Sequence, residues 1–159
     1  DLRRWVNPAA GEAGWLQPEA GQKNRRAAVL GGSLNGLACA YFLALAGFEV
    51  DVFDQAASPL AEVEQVREAF ESIVRMGVHY LGGQLPSTCI ADMQWQEYHC
   101  LYVASTGWPA TFTQSFQAIE MANPLLFDHS GLVPAHAIAE GRRAAFTLAA
   151  QVSALKIAA

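Results

Sequence analysis

Gly31, Gly32, Ser33, Leu34, Asn35 and Gly36 stand between a short apolar run and a stretch rich in Ala and Leu. Against the G-x-G-x-x-G fingerprint of dinucleotide-binding turns, Gly31 and Gly36 match and Ser33 takes the middle position. Each position has a physical task. The first glycine allows a tight turn out of a strand, and the last lets a helix pack close to the sheet. The middle one lets backbone approach a pyrophosphate, which rests on the unsatisfied N–H groups at the helix N-terminus. Serine is small and carries a hydroxyl donor, so Ser33 weakens the pattern without destroying it. Asp54 follows Gly36 at close to the ~20-residue offset of an acid that hydrogen-bonds a ribose 2′-hydroxyl. A carboxylate there disfavours a 2′-phosphate. The plain alternative is an ordinary strand–helix–strand unit with a solvated Asp54.

Other chemistry is less well supported. His79, His99, His129 and His136 are the histidines, and the spacing of Asp128, His129 and His136 matches no zinc or iron signature. Ser105, Thr106 and Ser130 lack a glycine-flanked nucleophile elbow, which argues against a hydrolase triad. Cys39, Cys89 and Cys100 include no C-x-x-C pair, so neither a metal nor an iron–sulfur cluster is expected in this chain, and a disulfide framework is not indicated. Reduced thiols point to a cytoplasmic setting. Trp5, Trp15, Trp95 and Trp108 read as packing or interface anchors rather than cofactor-stacking rings.

The elements that must position the turn follow from local pattern. Ala27 to Leu30 is a short apolar run, expected of a parallel strand buried on both faces. Leu34 to Ala46 is a helix stopped by Gly47. Glu49 to Phe53 is a second strand, β-branched or aromatic at Val50, Val52 and Phe53, and Asp54 ends it. After Pro59, apolar residues at helical spacing predict a helix from about Ala61 to Met76. Val78 to Leu81 is a third strand, Ile90 to Gln96 a short helix, and Cys100 to Ala104 a buried strand. Residues 108–126 carry no assignable period. Phe127 and Asp128 end a last short strand, and Pro134 opens a helix running through Ala135 to about Leu155. Such alternation predicts an α/β fold, a three-layer Rossmann-type domain with a parallel sheet and helices on both faces. Residues 1–24, with two tryptophans and two prolines, read as an extended arm, and residues 25–159 as one domain.

Composition narrows the class. With 159 residues, 52% hydrophobic and 16% charged, the chain can bury a sizeable core and is not disordered. Its net charge of −5 argues against nucleic acid, and the basic pairs Arg25-Arg26 and Arg142-Arg143 read as surface residues. Ala27 to Phe48 contains no charged residue and is long enough to span a bilayer. The early glycines break it into strand, turn and helix, so membrane insertion is not expected. No signal peptide is visible, and a start at Asp1 rather than Met is consistent with processing or trimming.

From Arg26 to Asp54 the sequence resembles the FAD-binding segment of the glutamate synthase small-subunit family of flavoproteins, which includes the FAD-containing part of dihydropyrimidine dehydrogenase. The resemblance continues in order along the chain. Glu68 to Tyr80, with Met76-Gly77-Val78, is similar to the family's helix and "G-V" turn. Glu97 to Gly107 is similar to its "E-Y-D-A-V-F-L-A-T-G" strand, and Ala137 to Ala145 to its "A-I-A-E-G-R-R-A-A" helix. Leu2 to Trp15 resembles the arm before its flavin domain.

The resemblance implies FAD as cofactor. Gly31, Ser33 and Gly36 would hold the pyrophosphate, with Gly32 and Asn35 completing the turn, and Asp54 would meet the adenosine ribose. Asp128 occupies the place of the "G-D" aspartate on the flavin side. The N-terminus of the last helix, Val133 to Ala137, would face the isoalloxazine, its positive end stabilising charge on reduced flavin. There are departures. The NAD(P)H domain that family members carry between the "A-T-G" strand and the "G-D" segment is replaced by residues 108–126, too few for a domain. The glycine pair after the ribose-binding acid is absent, and Phe127 replaces the glycine before Asp128.

Two functional readings follow. One is an FAD-binding electron-transfer subunit of a multi-subunit oxidoreductase, whose partners are other redox subunits, iron–sulfur or catalytic. The other is a cofactor-free structural subunit of such a complex. The joins near Pro59 and Trp108 would also fit a portion of a longer flavoprotein.

Overall fold

Four consecutive buried apolar residues, Ala27 to Leu30, leave a strand no face to turn to solvent, and β1 (Arg26–Leu30) accordingly lies at the centre of a sheet. The computed structural model describes residues 25–55, 77–82, 95–105, 108, 110–129 and 132–158. Beyond β1 the chain forms α1 (Leu34–Leu45), β2 (Glu49–Asp54), β3 (Val78–Gly82), β4 (Cys100–Val103), α2 (Thr113–Gln117), β5 (Leu125–Phe127) and α3 (Ala137–Ala158). The five strands run in the order β3-β2-β1-β4-β5 and every pairing is parallel. The fold is α/β and Rossmann-like, as the alternation predicts.

Side chains alternate across the sheet. Ala27, Val29, Val50, Val52, Cys100 and Tyr102 join one core with α1 and α3, whereas Ala28, Leu30, Phe53, Leu101 and Val103 join another. Helix α1 is buried from Asn35 to Ala44, which explains why its sequence is apolar all round rather than striped. Helix α3 meets it through small residues. A Cβ on Gly141 would fall on the carbonyl oxygen of Asn35 and within 2.7 Å of the Ala38 methyl. On the opposite face, Trp95 meets Phe53 edge-on at 5.6 Å, and Phe112 and Phe116 close over the strands. Trp95 is thus a packing anchor.

Several expectations are adjusted by tertiary contacts. The featureless stretch 108–126 forms a 3₁₀ turn (Ala110–Phe112), α2 and the start of β5, elements too short to show a period. Pro134 opens a 3₁₀ turn (Pro134–His136) rather than the α-helix itself, which begins at Ala137 and runs to Ala158. A 3₁₀ turn (Trp95–Glu97) stands at the end of the expected short helix. Arg26 is more than a surface residue: it pairs with Asp51 at 3.1 Å and lies over the Tyr98 ring at 4.7 Å. The expected arm, the helix over 61–76 and Cys89 lie outside the described residues.

The buried thiols give a test of this core. Burial pushes the Cys100 thiol up to about 12 and raises Cys39 well above its ordinary value. Neither should react with a thiol reagent at pH 8 in the folded chain, and both should react in denaturant, as read by peptide mass mapping. The same shifts set the alkaline limit. The folded chain keeps the Cys100 proton to about pH 12, while the unfolded chain releases it near 9.0. Burial likewise raises the phenols of Tyr80, Tyr98 and Tyr102 above 10.0. The unfolded state then binds fewer protons, so stability should fall as pH rises from about 9 towards 12. Unfolding should coincide with the appearance of phenolate absorbance.

Candidate functional site

The chain leaves β1 on one side to form β2 and β3, then returns across β1 to form β4 and β5. In open parallel sheets this reversal leaves a crevice beyond the carboxyl ends of the two flanking strands, the usual ligand position. Here it lies between the ends of β1 and β4, and the glycine turn borders it. Gly31 has φ +118°, and its N–H donates to the Phe53 carbonyl at 2.7 Å. Across the crevice the Ala104 N–H donates to the Leu30 carbonyl at 2.8 Å.

Three glycines of the turn are required by contact. A Cβ on Gly31 would come within 2.6 Å of the Ala104 carbonyl oxygen and 2.8 Å of Trp108 Nε1. A Cβ on Gly36 would fall on the Gly31 carbonyl oxygen, so the first turn of α1 sits directly on the loop. A Cβ on Gly32 would strike the Asp54 carboxylate. That last contact places Asp54, at the end of β2, against the turn. Tyr80 on β3 donates its hydroxyl to Asp54 Oδ2 at 2.8 Å, and the Gln55 N–H bonds to Oδ1 at 2.9 Å. Burial, reinforced by the Asp54 carboxylate, raises the Tyr80 phenol, so it remains a donor.

A polar chain crosses the crevice. Ser33 takes the N-cap position of α1 but makes no side-chain cap; its hydroxyl donates to Asn35 Oδ1 at 2.6 Å. The Asn35 amide, 2% exposed, donates to the Tyr102 hydroxyl and to Asp128 Oδ2, both at 3.1 Å. Ser105 donates to Asp128 Oδ1 at 2.6 Å, and Asp128 is 8% exposed just past β5. Burial raises the Tyr102 phenol, with the Asn35 donor acting in the opposite sense. The Trp108 indole N–H, beside Gly31, is buried with no hydrogen-bond partner among the described residues.

Of the candidate residues, Gly31, Gly32, Ser33, Asn35, Gly36, Asp54 and Asp128 converge on this crevice, and Ala137 is the buried first residue of α3. Tyr80, Tyr102, Ser105 and Trp108 are additions that motif reading does not supply. Ser105, weighed in sequence only as a nucleophile, orients Asp128. Among the described residues no cluster of three or more His, Cys, Asp or Glu side chains could hold a metal, and no helix is long and apolar enough to cross a membrane.

Comparison with known proteins supports the Rossmann-like character of the first half of the sheet. Residues 29–93 match the family model of NAD(P)-binding Rossmann-like domains. No curated protein matches the sequence significantly. Among solved structures, the chain is similar to MtNAS in complex with S-adenosylmethionine, at 16% identity and TM-score 0.44, over 86% of this chain and 48% of that one. AtPrR2 in its apo form shows 19% identity and TM-score 0.46, over 79% and 45%. The 6-hydroxypseudooxynicotine amine oxidase of Pseudomonas geniculata N1 shows 22% identity and TM-score 0.39, over 62% and 17%. This chain spans about half the length of the first of these, or less, and at such TM-scores the likenesses assign no function. The family match covers the glycine turn, α1, β2 and β3, the elements that build the nucleotide half of a Rossmann-like unit.

Proposed function

We propose that this chain is an FAD-binding electron-transfer subunit of a multi-subunit oxidoreductase in the cytoplasm, resembling the flavin domain of the glutamate synthase small subunit. The observation that carries the reading is the turn itself: Gly31, Gly32 and Gly36 are each closed to a side chain by contact, at the switch point, with Asp54 held against them. A cradle of this form suits a pyrophosphate on the N-terminus of α1, with Asp54 directed to the adenosine ribose. The Trp108 N–H beside Gly31, without a partner among the described residues, offers a further donor there. When bound, FAD supplies one- and two-electron redox chemistry.

This chain's own residues supply binding and orientation. Tyr80 fixes the Asp54 carboxylate, and Ser105 and Asn35 fix Asp128. The described residues between β4 and β5 form turns and α2, which supports passing electrons to partner subunits rather than oxidising NAD(P)H directly. One observation favours the cofactor-free structural reading: both Asp128 oxygens are engaged by protein donors.

Asp54→Asn is the direct test. It keeps the shape and removes the charge that strengthens a ribose hydrogen bond, so FAD affinity should fall roughly 10-fold or more by fluorescence titration. NADP⁺ should bind more weakly than FAD or NAD⁺ to the unaltered chain. Equal FAD affinity in the two proteins would remove Asp54 from the site, and preferential uptake of NAD⁺ would replace FAD as the cofactor.

A further inference from the structure

A second concavity lies away from the glycine turn, along α3. It is an open cleft of about 340 Å³ lined by His129, Leu132, Val133 and His136 on one side and by Ala139, Glu140 and Arg143 of α3 on the other. Ala144, Ala145 and Leu148 point instead into the core shared with α1, so the cleft belongs to a different face of the helix. Its volume falls in the range of small-molecule sites.

The cleft contains a buried, organised charge pair. Glu140, its side chain 5% exposed, accepts from Arg143 Nη2 at 2.6 Å and from Arg143 Nε at 3.1 Å, and lies 3.4 Å from His129 Nε2. Glu140 thereby holds the guanidinium rigid by one of its two edges. Five N–H donors are present on an arginine and two are engaged here, so the Nη1–Nη2 edge remains, on a side chain 43% exposed. An in-plane edge of this kind matches a carboxylate with two parallel hydrogen bonds. The imidazoles of His129 and His136 border the same opening, and Leu132 and Val133, the latter 51% exposed, form an apolar wall.

We propose that this cleft is a binding site for a small organic monocarboxylate. The carboxylate meets the open edge of Arg143, the imidazoles supply lateral donors, and the hydrocarbon body lies on Leu132 and Val133. A single guanidinium and an apolar wall fit one planar, singly charged group on an apolar body better than a tetrahedral, largely dianionic phosphate. The Glu140–Arg143 pair, and not the FAD reading, carries the proposal. The cleft shares Val133 and His136 with the segment expected to face the isoalloxazine, so the titration is made on the flavin-free chain.

The test is a titration of the full chain with sodium isobutyrate, followed by the NMR ring resonances of His129 and His136, against sodium chloride and sodium phosphate at matched ionic strength. Saturable shifts of both rings with isobutyrate, and not with the two controls, are expected. The double variant Glu140→Gln/Arg143→Gln removes both charges together and leaves no unpaired buried carboxylate; it should bind at least ~10-fold more weakly. Val133→Asp changes an exposed residue at the mouth, leaves the core intact, and should also weaken binding several-fold. Linear, non-saturating shifts with isobutyrate, saturation by phosphate alone, or undiminished binding in Val133→Asp or in a folded double variant would each overturn the proposal.

Discussion

Gly36→Ala should lower the thermal unfolding midpoint by roughly 6–12 °C, the shift that about 3 kcal/mol produces in a chain of this size. The added methyl would occupy the position of the Gly31 carbonyl oxygen, and neither side of that contact is a flexible side chain. Gly31 is held by its N–H bond to Phe53, and Ala104 and Trp108 close the space on its other side. Helix α1 cannot retreat either, because Asn35 to Ala44 are buried against the sheet and α3. The overlap must therefore open the turn, and nucleotide affinity should fall with stability. Circular dichroism melting would check the first effect, and an unchanged midpoint would mean that the turn and α1 are not in contact as described.

Gly141→Val should be more damaging still, at about 4 kcal/mol. The position sits mid-helix, where glycine costs about 1 kcal/mol relative to alanine unless close packing requires it. Packing does require it. A Cβ would fall on the Asn35 carbonyl oxygen, with the Ala38 methyl at 2.7 Å and the Cys39 nitrogen at 2.8 Å. Valine adds two further methyls to the same space. Because Asn35 also carries the polar chain to Tyr102 and Asp128, displacing α3 would disturb the crevice from behind. Denaturant unfolding should show a lowered midpoint. Gly77→Ala gives the contrast: its φ is +98° but no atom of the described residues lies within 4 Å of the new methyl, so backbone strain of about 1 kcal/mol is expected.

The nucleotide half of the fold is legible in sequence because its determinants are local. A doubly buried strand must be apolar throughout, and Ala27 to Leu30 is. A turn with φ +118° needs glycine, and Gly31 provides it. Asp54 reads as a site residue because strand, turn, helix and strand together fix its distance from Gly36. The rest depends on strand order, which no local pattern encodes. Asp128 reaches Asn35 across 93 residues of sequence because β4 and β5 pair beside β1. Tyr80 meets Asp54 only because β3 is the outer neighbour of β2. Ser105 follows β4 and takes its meaning from Asp128 in the same way. The three residues of β5 and the five of α2 are shorter than the periods that would reveal them. Resemblance supplies Asp128 and Ala137 as flavin-side positions. The structure adds that Asn35 and Ser105 are donors that orient the Asp128 carboxylate.

The most direct measurement is the visible absorption spectrum of the purified full chain, as isolated and after incubation with excess FAD followed by removal of free nucleotide. A retained flavin band near ~450 nm that bleaches on reduction, with FAD as the nucleotide released on denaturation, is the expected result. A chain that stays folded by circular dichroism, remains colourless and releases no flavin under either condition would contradict the electron-transfer function and favour the structural one.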